Sequence, residues 1–407
     1  MKVIKTGGVT TPTGFKTGGI NCGIKKSGKN DLAMIVSEVP GATSIMTTTN
    51  VVKAAPILWC NKVIANPYKQ AVVVNSGNAN ACTGQKGEEA VAATANKAAT
   101  VLGLQPEDVL IASTGVIGVI LPVEKILSGI EVLAPKLGNT EEDGDFAANT
   151  ILTTDTIQKT IAVEVEISGK SVKIGGMAKG SGMIHPNMAT MLSFVTTDAK
   201  IEPVLLDKLL KETTVDTYNM ISVDGDTSTN DMVTVIANGM AGNQPLQEST
   251  PDYELFKEAF IYVHKTLAKK IIRDGEGASK FVEVEVHGTK TKDDARKLAK
   301  SVITSSLVKT ALFGEDANWG RVLCALGYSG ADFDPLKVSL VFSSQAGMIT
   351  LLNDGAPIAF DEDEAKKVLS ETDIYIAVEM EEGDEKAVAW GCDLSYDYVK
   401  INGDYRS

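Results

Sequence analysis

Two seven-residue stretches, FVEVEVH (281–287) and IYIAVEM (374–380), place apolar residues at every second position, and no other pattern in the chain restricts its fold as much. Successive side chains of a strand point to opposite faces, so such a stretch fits a strand with one covered face, read here as antiparallel. Shorter β-branched segments at 71–74, 108–112, 161–167, 172–174, 192–196, 232–236 and 338–342 read as further strands. Between them, apolar residues recur at helical spacing over 88–102, 122–133, 203–214, 253–273, 293–307 and 362–369, with Pro122 and Pro203 where a first-turn proline belongs. Runs of strands mixed with helix pairs imply an α+β protein rather than a regular βαβ alternation, and a sandwich of sheets covered by helices is the expected architecture. The polar, acidic stretch 138–145 and the stretch 243–252 read as surface connections.

A chain of 407 residues exceeds one ordinary core and suggests two or three domains or one large layered one. With 39 basic and 52 acidic residues the net charge is −13 and no basic patch stands out, so nucleic acid is not an expected partner. Cys22, Cys60, Cys82, Cys324 and Cys392 show no Cys-x-x-Cys spacing, and only three histidines accompany them. A zinc site and a disulfide framework are both disfavoured, and the thiols read as buried or incidental in a reducing compartment. No window approaches the roughly 18 apolar residues of a membrane span, and MKVIKTGGVTTPTGF lacks a signal-peptide core, so a cytoplasmic protein without membrane contact is expected.

Four segments pack Gly, Asn, Thr and Ser too densely for plain strands or helices: NSGNANACTG (75–84), ASTGVIG (112–118), MAKGSGMIHPNMATMLSFVTTDA (177–199) and SVDGDTSTND (222–231). Loops of this kind at a sheet edge present small hydroxyls and backbone N–H groups, the usual components of an oxyanion or anion site. The third segment is not a phosphate loop, because Lys179 precedes Gly180 instead of following it. No G-x-G-x-x-G opens a helix with an acidic residue about twenty positions on, so a dinucleotide fold is unsupported. His185, directly before Pro186, is left without a role: His264 stands at helical spacing and His287 at a strand end, so a Ser–His triad has little to draw on.

Thr190 remains. A threonine hydroxyl needs a base beside it, and one solution is the threonine's own α-amine, freed when the preceding peptide bond is cut. That amine titrates at about 7.7–8.0 and can take the hydroxyl proton near neutral pH. The order PNMA followed by TMLSFV, a proline-restricted turn and then a β-branched residue heading an apolar run, suits such a nucleophile, although threonine also heads strands for propensity alone.

Taken together, KGSGMIHPNMATMLSFVTTDA, STGVIGVILP, NSGNANACTG, SVDGDTSTND, FGEDANWGR (313–321) and INGDYRS (401–407) closely resemble the ornithine acetyltransferases (glutamate N-acetyltransferases) of arginine biosynthesis, and the resemblance runs from GGVTTPTGF to the last residue. It implies self-cleavage between Ala189 and Thr190, giving an α chain of 1–189 and a β chain of 190–407 that assemble as an α2β2 heterotetramer. It also implies a layered αββα sandwich similar to N-terminal nucleophile hydrolases.

The implied reaction moves acetyl from N2-acetyl-L-ornithine to L-glutamate by a ping-pong exchange through acetyl-Thr190. The resemblance places Thr114 and Gly115 in the oxyanion hole and substrate contacts at Thr153, Lys179, Thr190, Glu276, Asn402 and Ser407. From charge alone, Lys179 suits an α-carboxylate and Glu276 the ornithine ammonium. No metal or organic cofactor is expected. The family holds monofunctional and bifunctional members; no motif separates them, and use of acetyl-coenzyme A as a second donor is the expectation carried forward. The competing readings are an N-terminal nucleophile amidohydrolase or aminopeptidase, and a non-catalytic metabolite-binding protein.

Overall fold

The computed structural model describes residues 1–185 and 191–404. The fold class is α+β, and the chain divides into two compact units, each with its own sheet and helices. Described residues 1–180, 191–215 and 227–271 form the first unit; 181–185, 216–226 and 272–404 form the second. The first thus takes strands from both sides of residue 190.

Among the described residues the first unit's sheet has nine strands: β1 Lys2–Ile4, β2 Phe15–Ile20, β3 Leu32–Thr47, β4 Tyr68–Asn78, β5 Val109–Val116, β6 Lys159–Ile167, β7 Lys170–Lys179, β8 Leu192–Thr197 and, after β9 of the other unit, β10 Met232–Ala237. Their order is β1-β6-β7-β8-β10-β3-β4-β5, with β2 also on β3. Period-two burial explains the middle of this sheet. Ala33, Ile35, Val72, Val74, Leu110 and Ala112 enter one apolar cluster with Ile57, Cys60, Ala147 and Phe194. Their chain neighbours Leu32, Met34, Ala71, Val73, Val109 and Ile111 enter another with Ala90, Ala95, Ala98, Ile126 and Ile130. Strands buried on both faces read as continuous apolar runs, so these carry no alternation.

Helices α1 Ala55–Val63 and α4 Glu141–Thr150 supply the first cluster, and α2 Gly84–Leu102 and α3 Val123–Leu133 the second; α5 Pro203–Val215 packs on β3. The connection expected at 138–145 is in fact the start of α4. Thr140 accepts the Asp143 N–H at 3.2 Å while Asp143 accepts the Thr140 N–H at 3.0 Å, and Glu141, Glu142 and Asp143 sit where the helix dipole favours acids.

The second unit's sheet runs β14-β13-β12-β15-β11-β16-β9, with β9 Ile221–Ser222, β11 Phe281–Thr289, β12 Val338–Ser344, β13 Gly347–Asn353, β14 Ala356–Pro357, β15 Asp373–Met380 and β16 Glu385–Cys392. The two alternating segments are β11 and β15. Each has one buried row, Ile374, Ile376, Val378 and Met380 in β15, and yet the two pair with each other in parallel, their antiparallel neighbours being β16 and β12. The sheet is therefore mixed, which alternation alone does not reveal. After α6 Pro251–Arg273 come α7 Lys292–Thr304 on β11 and β16, α8 Ser306–Phe313, α9 Trp319–Gly327, α10 Glu362–Ser370 on β12 and β13, and α11 Tyr396–Gly403. Residues 293–307, expected as one helix, divide at Ser305, whose extended backbone ends α7 and whose hydroxyl caps α8. Among the described residues no helix is long and apolar enough to cross a membrane.

His264, in α6, is fully buried with its ring 4.3 Å from that of Phe260, and burial pushes its pKa from 6.5 down to about 3. Between those pH values the folded state holds fewer protons than the unfolded one, so stability falls as pH drops from 6.5 toward 3. Replacing His264 with Leu should remove up to about 1.4 kcal/mol per pH unit of that slope. Denaturant midpoints at pH 7 and 5 measure it; an unchanged slope would reject the buried neutral histidine.

Candidate active site

The glycine-rich run before Lys179 is not a loop: GGMAK is the end of β7. Small residues are required there, since a Cβ on Gly175 would lie 2.0 Å from the Gly8 carbonyl oxygen. The strand delivers Lys179 with only 8 % of its surface exposed. Its Nζ donates to Thr153 Oγ1 at 2.7 Å and Thr114 Oγ1 at 3.3 Å, and lies 3.7 Å from Asp155 Oδ2. Three positions expected to serve one site thus meet at a single ammonium.

Asp155, to which the sequence reading gave no role, organises this cluster. Its buried carboxylate pairs with Lys159 at 2.7 Å and accepts the N–H groups of Gly180 at 2.6 Å and Thr153 at 3.0 Å. Burial alone would raise its pKa, but Lys179, Lys159 and the Gly180 N–H outweigh burial and hold it well below the usual carboxylate range. Lys25 adds a third amine, donating to the carbonyls of Asn30, Thr150 and Leu152 at 2.8, 3.2 and 2.8 Å; burial lowers its pKa to about 8, and Lys179 pushes the same way.

Two more of the polar segments reach the same unit as strand ends. NSGN closes β4 and STGV closes β5, in parallel register with Gly77 opposite Gly115 and a bulge at Asn78. Both glycines have positive φ, +103° and +132°. A Cβ on Gly115 would stand 2.3 Å from Gly77 C and 2.5 Å from Asn78 N, main-chain atoms that cannot swing aside. Beneath them Ser113 Oγ donates to Asn75 Oδ1 at 2.6 Å. Asn230, from SVDGDTSTND, donates to the carbonyls of Ala79 at 2.6 Å and Ser113 at 2.9 Å. One buried amide therefore ties both strand ends together.

In the second unit, Glu276 accepts from Asn402 Nδ2 at 2.8 Å, and its own N–H donates to the Ser181 carbonyl at 2.9 Å. Gly182 lies against that carboxylate, where a Cβ would be 2.2 Å from it. Asp224 accepts the N–H groups of Met183 at 2.6 Å and Ile184 at 2.8 Å and the Tyr398 hydroxyl at 3.2 Å. Burial raises the pKa of Asp224 despite those donors, and burial with the adjacent Asp224 raises that of Tyr398. Asn402 and Tyr398 belong to α11, which has no buried residue.

The expected site residues thus fall into two described groups: Thr114, Gly115, Thr153 and Lys179 in the first unit, Glu276 and Asn402 in the second. Ala189, Thr190 and Ser407 lie outside the described residues. The chain after Thr190 is fixed from Met191, whose carbonyl accepts the Met232 N–H at 3.0 Å, and Leu192 pairs with Lys179. His185 is half-buried with Nδ1 3.2 Å from Ser222 Oγ, and burial, with Lys300 adding, lowers its pKa to about 4. All five cysteines are free: Cys60 and Cys392 are buried, Cys22 is half-buried, and Cys82 and Cys324 are exposed. Asp155, Lys25, Asn230, Asp224 and Tyr398 are the organising residues that sequence reasoning missed. Asp155 stands two residues after Thr153, and Asp224 and Asn230 lie within SVDGDTSTND, but only the three-dimensional contacts give them work.

Residues 16–407 match the model of the ArgJ family. The chain is 55% identical over 404 residues, 99% of its length and all of the relative's, to the arginine biosynthesis bifunctional protein ArgJ of Caldanaerobacter subterraneus subsp. tengcongensis. It is 51% identical over 407 residues to ArgJ 1 of Clostridium acetobutylicum, covering 100% of this chain and 99% of that one. The crystal structure of the argJ protein from Bacillus halodurans superposes with a TM-score of 0.51 at 47% identity, over 53% of this chain and 100% of that one.

The Gly77–Gly115 contact gives a direct test. Gly115→Ala should destabilise the protein by about 1–3 kcal/mol through main-chain overlap plus the cost of positive φ. Gly118→Ala, also at positive φ but with nothing within 4 Å, should cost less. Denaturant midpoints of the two variants measure the difference, and equal values would reject the close approach.

Proposed function

The chain belongs to the ArgJ family, and on that premise we propose that it transfers acetyl from N2-acetyl-L-ornithine to L-glutamate through an acetyl ester on Thr190. The observation that carries this reading is the meeting of Thr114 and Thr153 on the Lys179 ammonium, at the strand end that pairs with Leu192. Thr190 precedes Leu192 by two positions, a chain length of about 7 Å at most.

In this reading the precursor cuts itself between Ala189 and Thr190, and the freed α-amine of Thr190 takes the proton of its own hydroxyl. The oxygen attacks the acetyl carbonyl, and Thr114 and Gly115 receive the developing oxyanion. The C–N bond breaks, the α-amine returns the proton to the departing nitrogen, and ornithine leaves. Glutamate then offers its α-amine to the ester, C–N forms as C–O breaks, and N-acetylglutamate departs with the hydroxyl restored. Both amino acids share an α-carboxylate, which suits Lys179 with Thr153 beside it; Glu276 suits the ornithine ammonium, with Asn402 and Ser407 completing the contacts. Acetyl-coenzyme A serves as a second acetyl donor. The two cleaved chains assemble as a cytoplasmic α2β2 heterotetramer, and the chemistry asks for no metal or organic cofactor.

Active protein should give two bands on denaturing electrophoresis, whereas Thr190→Ala should stay one chain and lose transfer by about 10^4-fold or more. A single band in active protein would overturn the mechanism, and acetate release without glutamate would favour the amidohydrolase reading instead. Purified enzyme given acetyl-coenzyme A and glutamate, without acetylornithine, should form N-acetylglutamate; no product would make it monofunctional.

A further inference from the structure

The segment that leads toward residue 190 is held by more bonds than a connecting loop requires. Ser181 Oγ donates to the Asp274 carbonyl at 2.6 Å, and Ile184, fully buried, accepts the Val223 N–H at 2.6 Å. Between these, Met183 has φ +56°, a left-handed conformation costly for a side-chain-bearing residue. What fixes it is Asp224, whose Oδ2 takes the Met183 N–H and whose Oδ1 takes the Ile184 N–H. The Asp226 N–H at 3.3 Å also reaches Oδ1, turning the DGD loop back on its own first residue.

The same Oδ2 accepts the Tyr398 hydroxyl. Tyr398 in turn offers its carbonyl to Asn402 Nδ2 at 3.1 Å, the amide that also reaches Glu276. With no buried side chain of its own, α11 is held by such contacts, joined by the Ser395 hydroxyl on the Gly277 carbonyl at 2.5 Å and by an edge-to-face contact of the Phe313 and Tyr396 rings.

We propose that Asp224 is a positioning residue with two distinct duties: it sets the backbone of Met183 and Ile184 for self-cleavage, and through Tyr398 it sets the helix that carries Asn402 for substrate binding. The inference rests on the reading that the chain cuts itself before Thr190. The duties share Oδ2 but are separated by donor, backbone N–H groups for the one and the Tyr398 hydroxyl for the other. The two backbone N–H groups need both carboxylate oxygens, so an asparagine must lose one of them and turn an N–H group toward an N–H. The tyrosine needs only its hydroxyl.

The test uses the full-length precursor, followed by denaturing electrophoresis during expression and by steady-state kinetics of the matured protein. Asp224→Asn should slow cleavage by about tenfold or more, the effect of losing a hydrogen bond to a charged group. Its thermal midpoint is measured alongside to establish that it folds. Tyr398→Phe should cleave at the wild-type rate yet raise KM for acetylornithine several-fold with kcat little changed, and it carries the test alone if Asp224→Asn does not fold. Asp224→Asn cleaving as fast as wild type, or Tyr398→Phe with wild-type KM, overturns the proposal. Wild-type protein that never cleaves would instead overturn the reading beneath it.

Discussion

The first unit's polar cluster depends on the buried carboxylate of Asp155. A charge removed from water is tolerable only when opposite charges and hydrogen bonds replace the solvent. Asp155 finds both, in Lys159, Lys179 and two backbone N–H groups. Because those N–H groups belong to Thr153 and Gly180, the carboxylate fixes Thr153 against the end of β7. Lys179 and Thr153 consequently face each other by construction, and their 2.7 Å contact follows from it.

Local charge here runs against the charge of the whole chain. The net value of −13 points toward cations or toward mere solubility. Around Lys179, however, the amines of Lys25 and Lys159 add to its own, and Asp155 and Asp31 supply the facing carboxylates. The three Asp31 contacts from the N–H groups of Cys22, Ile24 and Lys25, at 2.7, 2.6 and 2.9 Å, absorb much of that second charge. What remains is a buried Lys179 that shares Asp155 with Lys159 and donates to two threonine hydroxyls. Total charge averages over a surface; a site is decided by the few groups that have lost their water.

Much of the fold was legible because burial imposes a period on the sequence. Residues 373–380 and 281–287 were read almost as they stand, since one row of each is buried and the other is not. The longest strand, β3, was missed because it is buried on both faces over its first half and carries Pro40 and Gly41 at a register shift, so neither alternation nor an unbroken apolar run survives. α4 was missed for the opposite reason: the three acids of its first turn look like a solvated loop until the reciprocal Thr140–Asp143 bonds are seen. Motif residues such as Lys179 and Glu276 were named through resemblance. Asp155, Asn230 and Asp224 could not be, because a carboxylate or amide that binds backbone leaves no mark in composition or spacing.

A cut before Thr190 has a mechanical requirement that this topology meets. β7 lies before the cut and β8 after it, and the two are hydrogen-bonded antiparallel neighbours from Ile174–Thr197 to Lys179–Leu192. β8 is also held in parallel register by β10 along its whole length, from Leu192–Met232 to Thr197–Ala237. A break in the chain before Thr190 would therefore leave β8 paired on both sides. On the other side of that position, residues 181–185 are bonded to Asp274, Asp224, Val223 and Ser222. Cleavage between two such anchored stretches would release a chain end without releasing a strand. Strands from both sides of residue 190 complete the same sheet.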